Sequence, residues 1–138
     1  MTRPTASQLR ALPWLFRVQD KAGRGPYRPG FSIRWVEIDS PAVPPLPLHE
    51  QFGEELFAEA RKIVAMDGGA VGCGCRERTE LAHWFTPVER KRLKALGFRV
   101  VSLAPTRILA EAPHQVVFWR KRPLRSDALV IPWGNIGP

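Results

Sequence analysis

The chain has few of the features that secreted and membrane-bound folds depend on. Only two of its 138 residues are cysteines, Cys73 and Cys75, which is too few for a disulfide framework. No apolar run approaches the roughly 20 residues of a membrane-spanning helix. Residues 1–10 are polar and do not lead into the apolar stretch of a secretory leader. The sequence therefore predicts a reduced, cytoplasmic protein without a membrane partner.

Acidic residues are also scarce. The chain has 13 of them against 21 lysines and arginines, which gives a formal net charge of +8. Such an excess favours partners that carry phosphates or acidic side chains and disfavours a mimic of nucleic acid, which would have to be acidic. A soluble protein from an arginine-rich proteome would show the same balance, so charge alone does not select a function.

Glycine and proline are abundant, with 11 and 14 residues. This content argues for ordered loops between short elements and against a helical bundle. The length predicts one domain over residues 1–138, with residues 1–12 as a loosely ordered arm at the N-terminus.

The hydrophobic pattern predicts an α+β fold with a small mixed or antiparallel sheet and two helical stretches. Thr86, Pro87 and Glu89 form the sequence pattern of a capping box, which marks the start of a helix. The proline-rich residues 40–48 are typical of an extended connector. Strands are expected at 14–18, 33–38, 70–75, 98–103, 115–120 and 128–132, and helices at 50–65, 78–85 and 87–96.

The cysteine pair is the first candidate for chemistry. Together with His83 and His114, Cys73 and Cys75 could be imagined as zinc ligands. The pair lacks the spacer of two or more residues that zinc sites use, however, and a strand directs residues 73 and 75 to the same face. Two thiols on a core face are the simpler interpretation, and we predict no metal site.

Two basic segments are candidates for binding. The glycine-rich loop of residues 20–30 contains Arg24, Tyr27 and Arg28, whose guanidinium groups and ring suit an anion or a nucleotide. The second segment, Arg120-Lys121-Arg122, follows Trp119 at the end of a predicted strand and suits a phosphate backbone. In the alternative interpretation, Tyr27 plugs the core and the arginines are only solvated.

Three blocks of the sequence resemble small proteins that phages and prophages encode. The first block runs from Leu15 to Arg28 and includes Gly23-Arg24-Gly25-Pro26. The second is Val71-Gly72-Cys73-Gly74-Cys75, followed by Trp84-Phe85. The third is His114-Gln115-Val116-Val117-Phe118. The resemblance implies a phage accessory protein that binds a host protein or ribonucleoprotein.

The order of these blocks is also similar to the layout of ADP-ribosyltransferase-like folds. The resemblance implies that Arg17 holds a phosphate of NAD, that Cys73 stands in place of a serine beside the nicotinamide, and that Gln115 stands in place of the catalytic glutamate. Gln115 carries no charge and cannot stabilise a sugar cation as a carboxylate does. Glu111 is near in sequence but falls outside the predicted strand. This departure argues against transfer and leaves NAD binding open.

Three functions therefore remain open at the level of sequence. The first is a phage accessory protein that binds a host macromolecule, in the manner of an inhibitor of a nucleic-acid-directed (CRISPR-type) defence complex. The second is an NAD-dependent mono-ADP-ribosyltransferase or a degenerate NAD-binding relative. The third is a basic nucleic-acid-binding module.

Overall fold

The computed structural model describes residues 14–26 and 53–136. Several predictions concern residues outside these ranges: the arm at 1–12, the strand at 33–38, the connector at 40–48, and the positions of Tyr27 and Arg28.

The described ranges contain six strands and three α-helices. The strands are β1 (Leu15–Gln19), β2 (Ala70–Gly74), β3 (Arg99–Leu103), β4 (Arg107–Ala112), β5 (Gln115–Arg120) and β6 (Leu129–Ile131). The helices are α1 (Glu54–Asp67), α2 (Leu81–Trp84) and α3 (Pro87–Ala95), with 3-10 turns at Arg78–Glu80 and Trp133–Ile136. The predicted α+β class is confirmed.

The strands form two antiparallel sheets of three strands each. One has the order β1-β3-β6 and the other the order β2-β5-β4. A single bridge joins them: the amide of Phe16 donates to the carbonyl of Cys75 over 2.8 Å, and the amide of Cys75 donates back over 2.7 Å. The β-structure of the described residues is therefore two small sheets that meet at a seam.

The sequence pattern does not predict β4, whose residues lie between the strands expected at 98–103 and 115–120. The segment Arg-Ile-Leu-Ala-Glu-Ala is rich in residues that favour helices and has one β-branched side chain. Its pairing with β5, in which Glu111 lies opposite Val116, imposes the strand. Glu111 therefore lies on a strand, contrary to the prediction.

The capping box at the start of α3 is confirmed. Thr86 Oγ1 accepts from the amide of Glu89 over 3.2 Å, and Glu89 Oε1 accepts from the amide of Thr86 over 2.9 Å. Leu93, one turn into the helix, is fully buried and fixes α3 on the core.

The core has two parts, one on each face of the sheet that contains β1. Val18, Val100 and Phe98 pack with residues of α2, α3 and the chain between these helices on one face. Leu15, Val101 and Leu103 pack with residues of β5 and of the chain after it on the other face. Because β1 is covered on both faces, its polar residues Arg17 and Gln19 are buried as well.

Candidate functional site

Two loops that are a hundred residues apart in sequence come together in the structure. The first, residues 20–26, follows β1, and the second, residues 121–128, follows β5. A Cβ atom placed on Gly23, which has φ +86°, would lie 3.0 Å from the amide nitrogen of Arg125 and 3.2 Å from Leu124 Cβ. Position 23 requires glycine, because the backbone of the second loop leaves no room for a side chain and because its φ is positive.

Three buried polar side chains hold these loops by their backbone carbonyls. Arg17 Nη2 donates to Gly23 O over 3.2 Å, and Gln19 Nε2 donates to Leu124 O over 2.9 Å. Arg120 Nη1 donates to Pro123 O of the second loop over 2.7 Å, and its Nε donates over 3.1 Å to Ala104 O, in the connection between β3 and β4. Each bond satisfies a carbonyl outside the sheets, so polar residues of β1 and β5 fix the two loops to the two sheets.

The exposed side chains of the two loops form what we call the two-loop surface. Its cations are Lys21, Arg24, Lys121, Arg122 and Arg125, and the carboxylates in these loops are Asp20 and Asp127. Arg24 forms an ion pair with Asp20 over 2.9 Å, and Arg122 forms one with Asp127. Among the described residues, the side chains of Lys21, Lys121 and Arg125 have no acidic partner, so the surface carries excess positive charge.

Asp20 also shapes the first loop. Its Oδ1 accepts from the amides of Ala22 and Arg24, each over 2.9 Å. Partial burial opposes ionisation of this carboxyl, but these hydrogen bonds and the nearby Arg24 guanidinium keep its pKa below the ordinary value. The ionised Asp20 therefore acts as the cap of the turn.

The structure places the predicted binding residues in different environments. Arg24, Lys121 and Arg122 lie on the two-loop surface, exposed as expected. Arg120 is only 5% exposed, and burial lowers its pKa. The expectation that Arg120 is a solvent-exposed contact residue is wrong, because both ends of its guanidinium bind backbone carbonyls inside the fold.

The residues implied by the ADP-ribosyltransferase resemblance lie close together at the seam between the sheets. Arg17 Nη1 donates to Cys73 O over 3.1 Å, and the side chain of Gln115 lies near enough to the Cys73 thiol to lower its pKa slightly. Burial raises the pKa of the Cys73 thiol, although the Arg17 charge acts against the shift. The group therefore consists of the buried Arg17 and Gln115 and the partly buried Cys73, and Arg17 carries its only positive charge.

Arg17 is the unusual member of that group. It is 7% exposed, and its Nε has no hydrogen-bond partner among the residues that the structure describes. Burial lowers its pKa, and the nearby Cys73 and Asp20 only partly offset this. A Cβ on Gly72 would lie 2.6 Å from Nη1, so the glycine at position 72 makes room for the guanidinium.

A pocket that the sequence analysis did not predict lies at the turn between β4 and β5. This hairpin pocket has a volume of about 310 Å³ and is lined by Arg76, Glu80, Glu111, Pro113, His114 and Gln115 among others. The sequence feature that marks this site is Pro113-His114, which forms the turn of the hairpin. It indicates a hairpin only if residues 107–112 are known to form a strand.

The cysteines and histidines are arranged differently from a zinc site. Cys75 Sγ donates to the carbonyl of His114 over 3.2 Å, and burial raises the pKa of this thiol to about 12. The rings of His83 and His114 stack, with 4.2 Å between their centroids. Within residues 14–26 and 53–136, no three His, Cys, Asp or Glu side chains are grouped as metal ligands.

The helices of the described ranges also bear on membrane association. None of them combines the length and the hydropathy that crossing a bilayer requires.

Comparison with known proteins identifies the family. Neither the curated proteins nor the solved structures contain a match to the chain. The family model described as "Bacteriophage T4 Y00F protein" matches residues 9–128, which is most of the sequence. This match confirms the resemblance to small phage proteins: the chain belongs to the bacteriophage T4 Y00F protein family.

Proposed function

We propose that this phage protein binds a host macromolecule through the two-loop surface, as an inhibitor of a nucleic-acid-directed defence complex. The observation that carries the proposal is the convergence of two basic loops that buried side chains hold in place. A fixed array of cations binds a phosphate backbone with less loss of conformational entropy than mobile loops would. The net charge of +8 adds long-range attraction to the same partners.

The buried cations beneath the surface strengthen this argument. Arg17 and Arg120 bind backbone carbonyls, which are dipoles and carry no compensating charge. Their positive charge therefore adds to the field of the loops above them, and the low-dielectric surroundings screen it less than water would.

The proposal is tested by replacing the exposed cations of the second loop. The triple variant Lys121→Gln, Arg122→Gln, Arg125→Gln removes three charges without touching the buried Arg120. The matched control Lys62→Gln, Lys91→Gln, Lys94→Gln removes three exposed charges from α1 and α3. Fluorescence anisotropy with a short DNA duplex, a structured RNA and poly-L-glutamate as probes then compares the variants.

We expect the loop variant to bind the preferred nucleic acid at least about tenfold more weakly than the wild type. The control variant should bind nearly as well as the wild type. Equal weakening in both variants would mean that total charge, and not this surface, governs binding. If poly-L-glutamate binds more tightly than either nucleic acid, the partner of the two-loop surface would be an acidic protein and not a nucleic acid.

A second candidate function is NAD binding by a relative of the ADP-ribosyltransferases. The observation that favours it is the proximity of Arg17, Cys73 and Gln115, the three residues that the resemblance implies. Gln115 also lines the hairpin pocket. Glu111, the nearest carboxylate in sequence, is engaged by Arg76 and is not a ready substitute for the missing glutamate.

Labelled NAD and host lysate test this candidate. Binding of NAD that Gln115→Ala abolishes, without transfer of label, would support a degenerate site. Transfer of label by the wild type would support an active transferase. Absence of both with folded protein would reject the candidate.

A further inference from the structure

Two charged side chains that line the hairpin pocket, Arg76 and Glu111, form an ion pair. Arg76 Nε and Nη2 donate to Glu111 Oε2 and Oε1, each over 2.5 Å. The hydrogen bond with Glu111 raises the pKa of Arg76, and the same bond lowers the pKa of Glu111. The pair is therefore ionised and compensated, while Arg76 Nη1 has no partner in the described structure.

His114 is held in the pocket by a strained turn. It has φ +62°, in the left-handed region that glycine and asparagine occupy more readily, and it follows Pro113. Trp84 Nε1 donates to its carbonyl over 2.8 Å, and Cys75 Sγ donates to the same oxygen over 3.2 Å. Two side chains thus fix the strained residue, an arrangement that is common where a side chain must be presented for function.

The His114 ring is oriented on two sides. Its Nδ1 lies 3.3 Å from Glu80 Oε2, and its face stacks on the ring of His83 with an interplanar angle of 25°. The other ring nitrogen, Nε2, has no partner among the described residues. Glu80 is also occupied, because its Oε1 accepts from the amide of Glu77 over 3.0 Å.

We propose that the hairpin pocket binds a neutral, polyhydroxylated ligand, a sugar. An anion would have to displace Glu111 from Arg76 and would also meet the Glu80 carboxylate. A cation would have to displace Arg76 from Glu111, or compete with the Glu77 amide and the His114 ring for Glu80. A hydroxyl group competes with neither, because it accepts from Arg76 Nη1 and donates to lone pairs that the carboxylates leave open. His114 Nε2 adds a third polar position, and Ala112, Pro113 and Val116 offer apolar contacts to the C–H faces of a sugar ring.

The size of the pocket agrees with this ligand class. Its volume of about 310 Å³ lies at the lower end of the range for small-molecule sites, which suits one sugar ring. The pocket is at the opposite end of β5 from the two-loop surface, so this proposal stands independently of the one above.

The proposal is tested by NMR titration of isotope-labelled protein. The probes are three neutral sugars that differ in ring and substituent: methyl α-D-glucopyranoside, N-acetyl-D-glucosamine and D-ribose. Inorganic phosphate and n-butylammonium chloride serve as charged probes. We expect at least one sugar to shift the His83, His114 and Gln115 resonances saturably, at least about tenfold more tightly than either charged probe.

Two variants and one control separate binding from folding. His114→Asn tolerates the positive φ and removes the ring, and Arg76→Gln removes the guanidinium donor. Both should weaken sugar binding at least about tenfold with folded spectra. Arg107 is on β4 of the same hairpin, and Arg107→Gln breaks its ion pair with Glu59 of α1 and should leave sugar binding unchanged. Saturable binding of no sugar, or equal binding of a charged probe, would overturn the proposal.

Discussion

The two ends of β5 use arginine in opposite ways. At the C-terminal end, Arg120 donates to backbone carbonyls, and no carboxylate within residues 14–26 and 53–136 forms an ion pair with it. At the N-terminal end, Arg76 is bonded through two nitrogens to Glu111. A guanidinium bound to dipoles keeps its charge available to a partner, whereas one bound to a carboxylate does not. The first end is therefore suited to anions and the second to neutral polar ligands.

The comparison also concerns stability, because the two arginines differ in burial. Arg120 lies inside the fold and holds two loop carbonyls, whereas the side chain of Arg76 is 37% exposed. A buried hydrogen bond from a charged donor contributes more than an exposed ion pair, since losing it leaves an acceptor without water.

Arg120→Ala should lower the free energy of unfolding by about 2–4 kcal/mol, because Ala104 O and Pro123 O both lose a charged donor. Its neighbour provides the control: Lys121→Ala, at an exposed side chain, should change stability by no more than about 0.5 kcal/mol. Urea denaturation measures both. Equal effects would show that Arg120 is not a structural residue.

Gly72→Ala should destabilise the protein by about 1–3 kcal/mol, because the added methyl would lie 2.6 Å from Arg17 Nη1 and 3.1 Å from Phe118 Cζ. The displaced guanidinium would also loosen its bond to Gly23 O. Thermal unfolding measures the change. Gly134→Ala, where a Cβ would meet nothing within 4 Å, is the control and should be close to neutral. A neutral result at position 72 would mean that Arg17 is not packed as described.

The buried thiol of Cys75 should make the stability of the protein depend on pH in the alkaline range. Burial raises the pKa of its thiol from 9.0 to about 12. Below pH 9 the thiol is protonated in both the folded and the unfolded state, so its contribution to the free energy of unfolding is constant. Between about pH 9 and pH 12 the unfolded state loses the proton first, so the stability falls.

The free energy of unfolding, measured on both sides of pH 9 for the wild type and Cys75→Ala, checks this prediction. The variant should show the smaller decrease. The native thiol should also react with iodoacetamide at least about a hundredfold more slowly than the denatured one. Rapid reaction of Cys75 in the folded protein would contradict the burial.

Arg76→Gln should have the smallest effect on stability, because the ion pair with Glu111 is exposed. The hydrogen bond from Arg76 lowers the pKa of Glu111 below its ordinary 4.5. The pair therefore stabilises the fold above pH 4.5, and this contribution is lost as the pH falls through the lowered pKa. The difference between wild type and variant, measured by denaturation at neutral and acid pH, should shrink in acid. A difference that persists in acid would assign another role to Arg76.

Local signals in the sequence were sufficient for much of the fold. The capping box at Thr86 and Glu89 is a contact within four residues, so it could be predicted without knowledge of the rest of the chain. The apolar run of β5 is long enough to identify a buried strand by itself. These features depend on neighbours in sequence.

The features that could not be predicted depend on contacts between distant residues. β4 is a strand because it pairs with β5, against the preference of its own residues. In the sequence, Arg120 is one of several consecutive cations that are expected to be exposed. It is buried because it donates hydrogen bonds to the carbonyls of Ala104 and Pro123. The hairpin pocket brings Arg76 and Glu111 together across 35 positions, and no pattern in the sequence links them.

The salt dependence of nucleic-acid binding tests the central claim, the two-loop surface, most directly. Each cation that neutralises a DNA phosphate contributes about 0.9 to the slope of the logarithm of affinity against the logarithm of salt concentration. Removing Lys121, Arg122 and Arg125 as partners should therefore reduce the slope by about 2–3, while the control triple at Lys62, Lys91 and Lys94 leaves it unchanged. Equal slopes for the wild type and the loop variant would contradict the account.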